Sequence, residues 1–193
     1  TWWHTTERII RKLTFSLCSP SNNQQDATIN NNDILRRLRY TFDFNDATMI
    51  NIFSQADVTM TRAQISDLLK KEEDPDQQIC EDPTMASFLN GLINEKRGKK
   101  EGPQPEPEQV LNNNIIFMKL KIALNLRAED VIRIMELADF VVSKPELSAF
   151  FRKSGHKHYR VCKDQILRNF LHGVQLEYRD GIEAIARSKW QKD

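Results

Sequence analysis

The sequence predicts an all-α protein made of two tandem four-helix units, an internal duplication joined by a proline-rich linker. Three observations lead to that class. Laid on itself at an offset of 82, the chain of 193 residues superimposes 30–99 on 112–181 without a gap, and eighteen of those 70 positions are identical. Within each copy, apolar residues recur at helical spacing, and no alternating run with turn punctuation competes with them. Glycine is scarce, with six residues at 91, 98, 102, 155, 173 and 181.

Each copy opens on three asparagines, Asn30, Asn31 and Asn32 matched by Asn112, Asn113 and Asn114. Asparagine is a preferred N-cap because its side-chain oxygen accepts from a free backbone N–H at a helix start. The first helix follows, with Ile34, Leu35, Leu38 and Phe42 on one face, matched by Ile116, Phe117, Leu120 and Leu124. A second carries Met49, Ile50 and Phe53, against Val131, Ile132 and Met135. The third opens with Thr61 and Gln64 in one copy and Ser143 and Glu146 in the other, both with capping-box spacing. Pro145 fits a first helical turn, where a missing N–H loses no bond. The fourth is expected to start at Asp82 as N-cap before Pro83, or at Asp164. Its buried face is Met85, Phe88, Leu89 and Leu92, against Leu167, Phe170, Leu171 and Val174.

These elements set the expected boundaries. Residues 1–29 have no counterpart in the repeat and read as a disordered N-terminal extension, 19–28 being polar and aperiodic. Helical repeat 1 spans 30–99, a linker 100–111, helical repeat 2 spans 112–181, and 182–193 form a C-terminal helical tail. Three of the seven prolines fall at 103, 105 and 107, which predicts an extended, semi-rigid linker. A 70-residue unit has little core of its own, so the copies are expected to pack on each other or on a second chain, as in a homo-oligomer.

Composition narrows the function classes. With 28 Lys and Arg against 27 Asp and Glu, the chain has no bulk charge with which to coat nucleic acid or membrane. No glycine lies in a dinucleotide or P-loop pattern, so no nucleotide cofactor is implied. No apolar run approaches the ~20 residues of a membrane span, and the short apolar stretch after Arg8, Arg11 and Lys12 falls short of a secretory signal. Cys18, Cys80 and Cys162 are odd in number and far apart, which fits a reducing compartment rather than a disulfide framework.

Several residues are candidates for function. Gly91 and Gly173 interrupt the fourth helices at equivalent places; they mark either a close helix contact or the floor of a groove. One asparagine of each triplet caps a helix, leaving two to explain. The second and third helices resemble a helix-turn-helix, with Asp57 and Asp139 suited to a left-handed turn, although the connection is long for a DNA reader and the third helix carries Asp67. His156, His158 and Cys162 are weak metal candidates, since their spacing matches no standard zinc pattern. Cys80 and Cys162 lack a shared base, and no reaction constellation stands out, so the reading leans away from an enzyme. The copies differ in charge: 30–99 hold nine basic and twelve acidic residues, net −3, and 112–181 hold twelve and eight, net +4.

The wording of the repeat resembles the bacterial YehS-like family. The resemblance rests on Asn31, Asn32, Asp33, Ile34, Leu35, Arg36, Arg37 and Leu38, on Phe88, Leu89, Asn90, Gly91 and Leu92, and on Glu95, Lys96 and Arg97. Asn112 to Ile115, Lys119 to Ala123, His156, Lys157, Cys162, Asp164, Gln165, Leu167 and Arg168 extend it through the second copy. That family is a tandem-repeat domain of unknown function, so the resemblance implies an uncharacterised bacterial cytoplasmic protein and brings no catalytic residue or cofactor. The expected function is a non-enzymatic protein-interaction or regulatory module, with a surface drawn from Asn31, Asn32, Asn90, Gly91, Lys96, Arg97, Asn113, Asn114, Arg168 and Gly173. Nucleic-acid binding through the helix-turn-helix-like hairpins or the basic second repeat is the alternative, and an enzyme or metal protein the weaker one.

Overall fold

A computed structural model describes residues 29–190, with the side chains of 180–190 left out. The expected N-terminal extension therefore lies outside the described residues, apart from Ile29. All regular structure among the described residues is helical: α1 (Asn31–Thr41), α2 (Asp46–Ser54), α3 (Arg62–Leu69), α4 (Asp82–Arg97), α5 (Asn113–Ala123), α6 (Ala128–Leu137), α7 (Lys144–Phe150) and α8 (Asp164–Trp190). Helices α1–α4 are copy one and α5–α8 copy two.

The local signals act where the spacing places them. Asn30 and Asn112 cap α1 and α5 by accepting from the N–H groups of Asp33 and Ile115. Thr61 with Gln64, and Ser143 with Glu146, close the capping boxes of α3 and α7. Four non-glycine residues take a left-handed backbone, and they form two equivalent pairs: Asp43 with Asn125 after the first helices, and Asp57 with Asp139 after the second. Asp and Asn tolerate this conformation because the short polar side chain bonds locally. One boundary differs from expectation: the N-cap of α4 is Glu81, which makes no side-chain cap bond. Asp82 is already helical, and its carboxylate is used elsewhere.

The copies pack on each other reciprocally. α1 lies against α8 and α4 against α5, so the first helix of each copy meets the fourth helix of the other. That is the arrangement of a two-fold dimer fused into one chain. One hydrophobic cluster runs through both copies, from Phe53 and Phe88 to Phe117 and Phe170. The segment between α4 and α5 is irregular but anchored: Asn94 donates to Gln104, and Glu108 pairs with Lys119 Nζ at 2.9 Å.

Within each copy, the second helix (α2 in one, α6 in the other) crosses the fourth helix at its glycine. A Cβ added to Gly91 would overlap the Ile52 carbonyl oxygen, and one added to Gly173 would overlap that of Ile134. These glycines are buried helix contacts and not the floor of an open groove. Gly91→Ala and Gly173→Ala should each lose roughly 1–3 kcal/mol of stability, read as a lower thermal midpoint. Gly155→Ala, with no atom within 4 Å of the added Cβ, should melt like the wild type.

Candidate functional site

The three asparagines of each triplet do three different jobs. The first caps. The second reaches the start of its own fourth helix: Asn31 Nδ2 donates to Asp82 Oδ1 at 2.8 Å, and Asn113 Nδ2 donates to Asp164 Oδ1 at 2.6 Å. The other oxygen of each aspartate accepts the backbone N–H of the residue just before the opposite copy, Leu111 to Asp82 at 2.9 Å and Ile29 to Asp164 at 3.3 Å. Each aspartate thereby ties the two copies together.

The third asparagine is buried and fully bonded. Asn32 Nδ2 donates to the carbonyls of Leu68 and Gln78, both at 2.8 Å, while its oxygen accepts from the Cys80 N–H. Asn114 makes the same set with Phe150, Arg160 and Cys162, and also accepts from the Tyr159 hydroxyl. Each side chain therefore fastens both ends of the loop between the third and fourth helices. Asn32 and Asn114 are thus buried and leave little surface to a partner, whereas Asn31 and Asn113 are half-buried at the start of the fourth helices.

Other expected surface residues divide. Asn90 is buried and accepts from Lys119 across the contact between copies. Lys96 is exposed, with Nζ 5.8 Å from the Phe42 ring centre and 5.9 Å from that of Phe44. Arg97 is exposed at the end of α4. Arg168 on α8 faces Arg37 of α1; burial lowers the Arg37 pKa, Asp33 opposes the shift, and the Arg168 charge adds to it.

The metal candidates do not converge. His156 and His158 sit on an exposed loop, whereas Cys162 is buried, and no group of three metal-ligating side chains gathers among the described residues. Burial, helped by Asp164, pushes the Cys162 thiol up to about 12, and burial with Glu81 and Asp82 does the same for Cys80. A thiol so shifted holds little thiolate at neutral pH, so neither is an activated nucleophile.

What the structure adds is the loop itself. Residues 152–163 carry Arg152, Lys153, Lys157, Arg160 and Lys163 and no carboxylate, net +5. The equivalent 70–81 carry two lysines and five carboxylates, net −3. This one segment thus holds the whole charge difference between the copies. In copy one the loop's first cation is paired, Lys70 meeting Asp67 of α3 at 2.9 Å and Asp76 at 3.4 Å. In copy two Arg152 replaces Lys70, but Ala149 and His158 replace the two aspartates. None of the five cations forms an ion pair with a described residue; Arg152 instead lies 3.1 Å from a ring nitrogen of His156.

Two depressions flank this loop. A cleft of about 500 Å³ against α7 is lined by Arg152, Lys157, His158 and Arg160, and by one carboxylate, Glu146. The Glu146 carboxylate is held ionised chiefly by its hydrogen bond from Ser143, with Arg160 adding to the shift. A second groove of about 230 Å³ is mostly apolar, lined by Ile115, Met118, Phe150 and Phe151. Arg152 and Tyr159 border both. Sequence reasoning recorded the charge of the whole copy and passed over this loop; comparing the copies segment by segment would have located it.

Two outcomes test these assignments. Asn114→Asp removes both donors and sets a carboxylate against two carbonyls, so it should destabilise the protein by about 2–3 kcal/mol in denaturant melts. In a Cys18→Ser background, Cys80 and Cys162 should react with a thiol reagent at pH 8 on the order of a thousandfold slower than after unfolding.

The comparisons with known proteins match this architecture. The family described as "Protein of unknown function (DUF1456)" matches residues 31–98 and again 113–180. The chain is 45% identical over 144 residues to "Uncharacterized protein YehS" of Escherichia coli (strain K12), covering 74% of this chain and 92% of that protein. No solved structure matches the chain significantly. No helix of the described residues is long and apolar enough to cross a membrane.

Proposed function

The chain belongs to the DUF1456 family of proteins of unknown function, and from that premise we propose that it is a non-enzymatic interaction module. Its two copies form one rigid frame, and the loop 152–163 is the surface that engages an anionic partner. The observation that supports this reading most directly is the contrast between equivalent loops. Both are fastened by equivalent buried asparagines, yet one is acidic with Lys70 paired to two aspartates and the other presents five cations. Displayed charge on a fixed backbone serves recognition, because the binding groups need little ordering on association. The paired thiols and carboxylates serve the fold: Cys80 and Cys162 are buried, and Asp82 and Asp164 bond Asn31 and Asn113.

Nucleic acid is favoured over an acidic protein surface by the loop and not by the helix-turn-helix-like hairpins. In both copies the connection between the second and third helices is longer than the tight turn of DNA readers, and in copy one it spans 55–61.

A loop exchange tests the module. Placing the sequence of 70–81 at 152–163 keeps the length and every backbone partner of Asn114. The exchanged protein should melt within a few degrees of the wild type and lose the anionic partner recovered by cross-linking from host extract. Equal recovery by both proteins, or an exchange that abolishes folding, would overturn the assignment.

A further inference from the structure

We infer that the anionic partner is a single-stranded nucleic acid, with a base in the apolar groove beside Met118 and Phe151 and the flanking phosphates on Arg152, Lys157 and Arg160. This inference rests on the reading of the loop as the binding surface and names its ligand. The chemistry comes from the pairing of the two depressions. A purely cationic patch suits any polyanion. Here the cationic cleft shares a wall with an apolar groove, and the wall is a guanidinium, Arg152, beside an aromatic ring, Tyr159. A flat apolar ring joined to an anion at short range is the chemistry of a nucleotide, and an unstacked base is accessible only in a single strand.

The site is also ordered before any ligand arrives. Tyr159 is fixed by its hydroxyl bond to Asn114 at 3.1 Å, and its N–H bonds to the His156 carbonyl at 2.8 Å. The Arg160 N–H is bound to the Ala149 carbonyl of α7, which holds the cleft's two sides together. Copy one keeps the two backbone bonds, Gln77 N–H to the Asp74 carbonyl and Gln78 N–H to the Asp67 carbonyl, but lacks the side chains. Pro75, Gln77 and Gln78 stand where Lys157, Tyr159 and Arg160 stand in copy two, and the Gln77 side chain folds back onto the Lys70 carbonyl. One site per chain follows, on copy two alone.

Fluorescence anisotropy with a labelled 12-nucleotide mixed-sequence RNA, on the full chain at 50 mM salt, reads this directly. The single strand should bind at least tenfold tighter than its duplex, and adenosine monophosphate should compete only at far higher concentration. Three phosphate contacts predict a log–log salt slope of about −2. The triple variant Arg152→Ala, Lys157→Ala, Arg160→Ala should lose at least tenfold in affinity and flatten that slope. Tyr159→Phe keeps the ring and should bind within about twofold. Tyr159→Gln, which copies the residue that copy one tolerates at its equivalent position, should lose at least fivefold with an unchanged thermal midpoint. Absence of binding, equal affinity for the duplex, competition by the mononucleotide at matched concentration, or full affinity in Tyr159→Gln or in the triple variant each overturns the inference. If the single strand fails while the loop exchange still removes an anionic partner, the loop remains the surface and its ligand is an acidic protein.

Discussion

Two buried amide side chains, Asn32 and Asn114, govern how the rest of the molecule is allowed to vary. Each satisfies two carbonyls and one N–H in the loop before the fourth helix, so none of the three bonds depends on which side chains the loop carries. An amide is suited to this because it offers two donors and an acceptor in one plane, and a buried polar group left half-bonded is strongly unfavourable. Once both ends of the loop are held through the backbone, its side chains are released from structural duty. The acidic, self-paired loop of copy one and the basic loop of copy two are two outcomes of that freedom on one scaffold.

The same economy joins the copies. Asp82 and Asp164 each give one oxygen to their own copy and one to the residue that leads into the other. Both sit in the first turn of a fourth helix, where the helix dipole favours a carboxylate. The reciprocal packing of first on fourth helices then merges two small cores into one, which supplies the burial that a 70-residue unit lacks. At the contact, Lys119 reaches Asn90 and Glu108, whereas its equivalent Arg37 faces Arg168. The two-fold relation therefore holds in the backbone and is broken in the charges, there as in the loops.

Much of this was legible in the sequence. The duplication, the helices, the asparagine caps, the capping boxes and the left-handed Asp57 and Asp139 all express local chemistry, which short-range spacing encodes. The glycine contacts were half legible: equivalent mid-helix glycines imply a reason, but only the fold shows that Ile52 and Ile134 supply the carbonyls. The bonds of the second and third asparagines were not legible, because their acceptors lie 36 to 51 residues away, beyond any local pattern. The Asp82 N-cap failed for the same reason. A carboxylate that also fits a local cap was claimed by two long-range donors, and the helix began one residue earlier.

Charge is where sequence and structure needed each other. The net values of −3 and +4 describe whole copies and suggest a gradual difference, compatible with docking of one half on the other. The packed interface shows otherwise, because the contact between copies is carried by apolar helices and a few buried bonds while the imbalance lies in one exposed segment. Mutual docking would have neutralised those cations; Arg152, Lys153, Lys157, Arg160 and Lys163 form no ion pair among the described residues. Surface charges repel one another when gathered in a short loop, and interspersed acids are the ordinary remedy, as Asp67 and Asp76 show around Lys70. A scaffold that carries that remedy in one copy and lacks it at the equivalent place in the other leaves its unpaired charge facing outward.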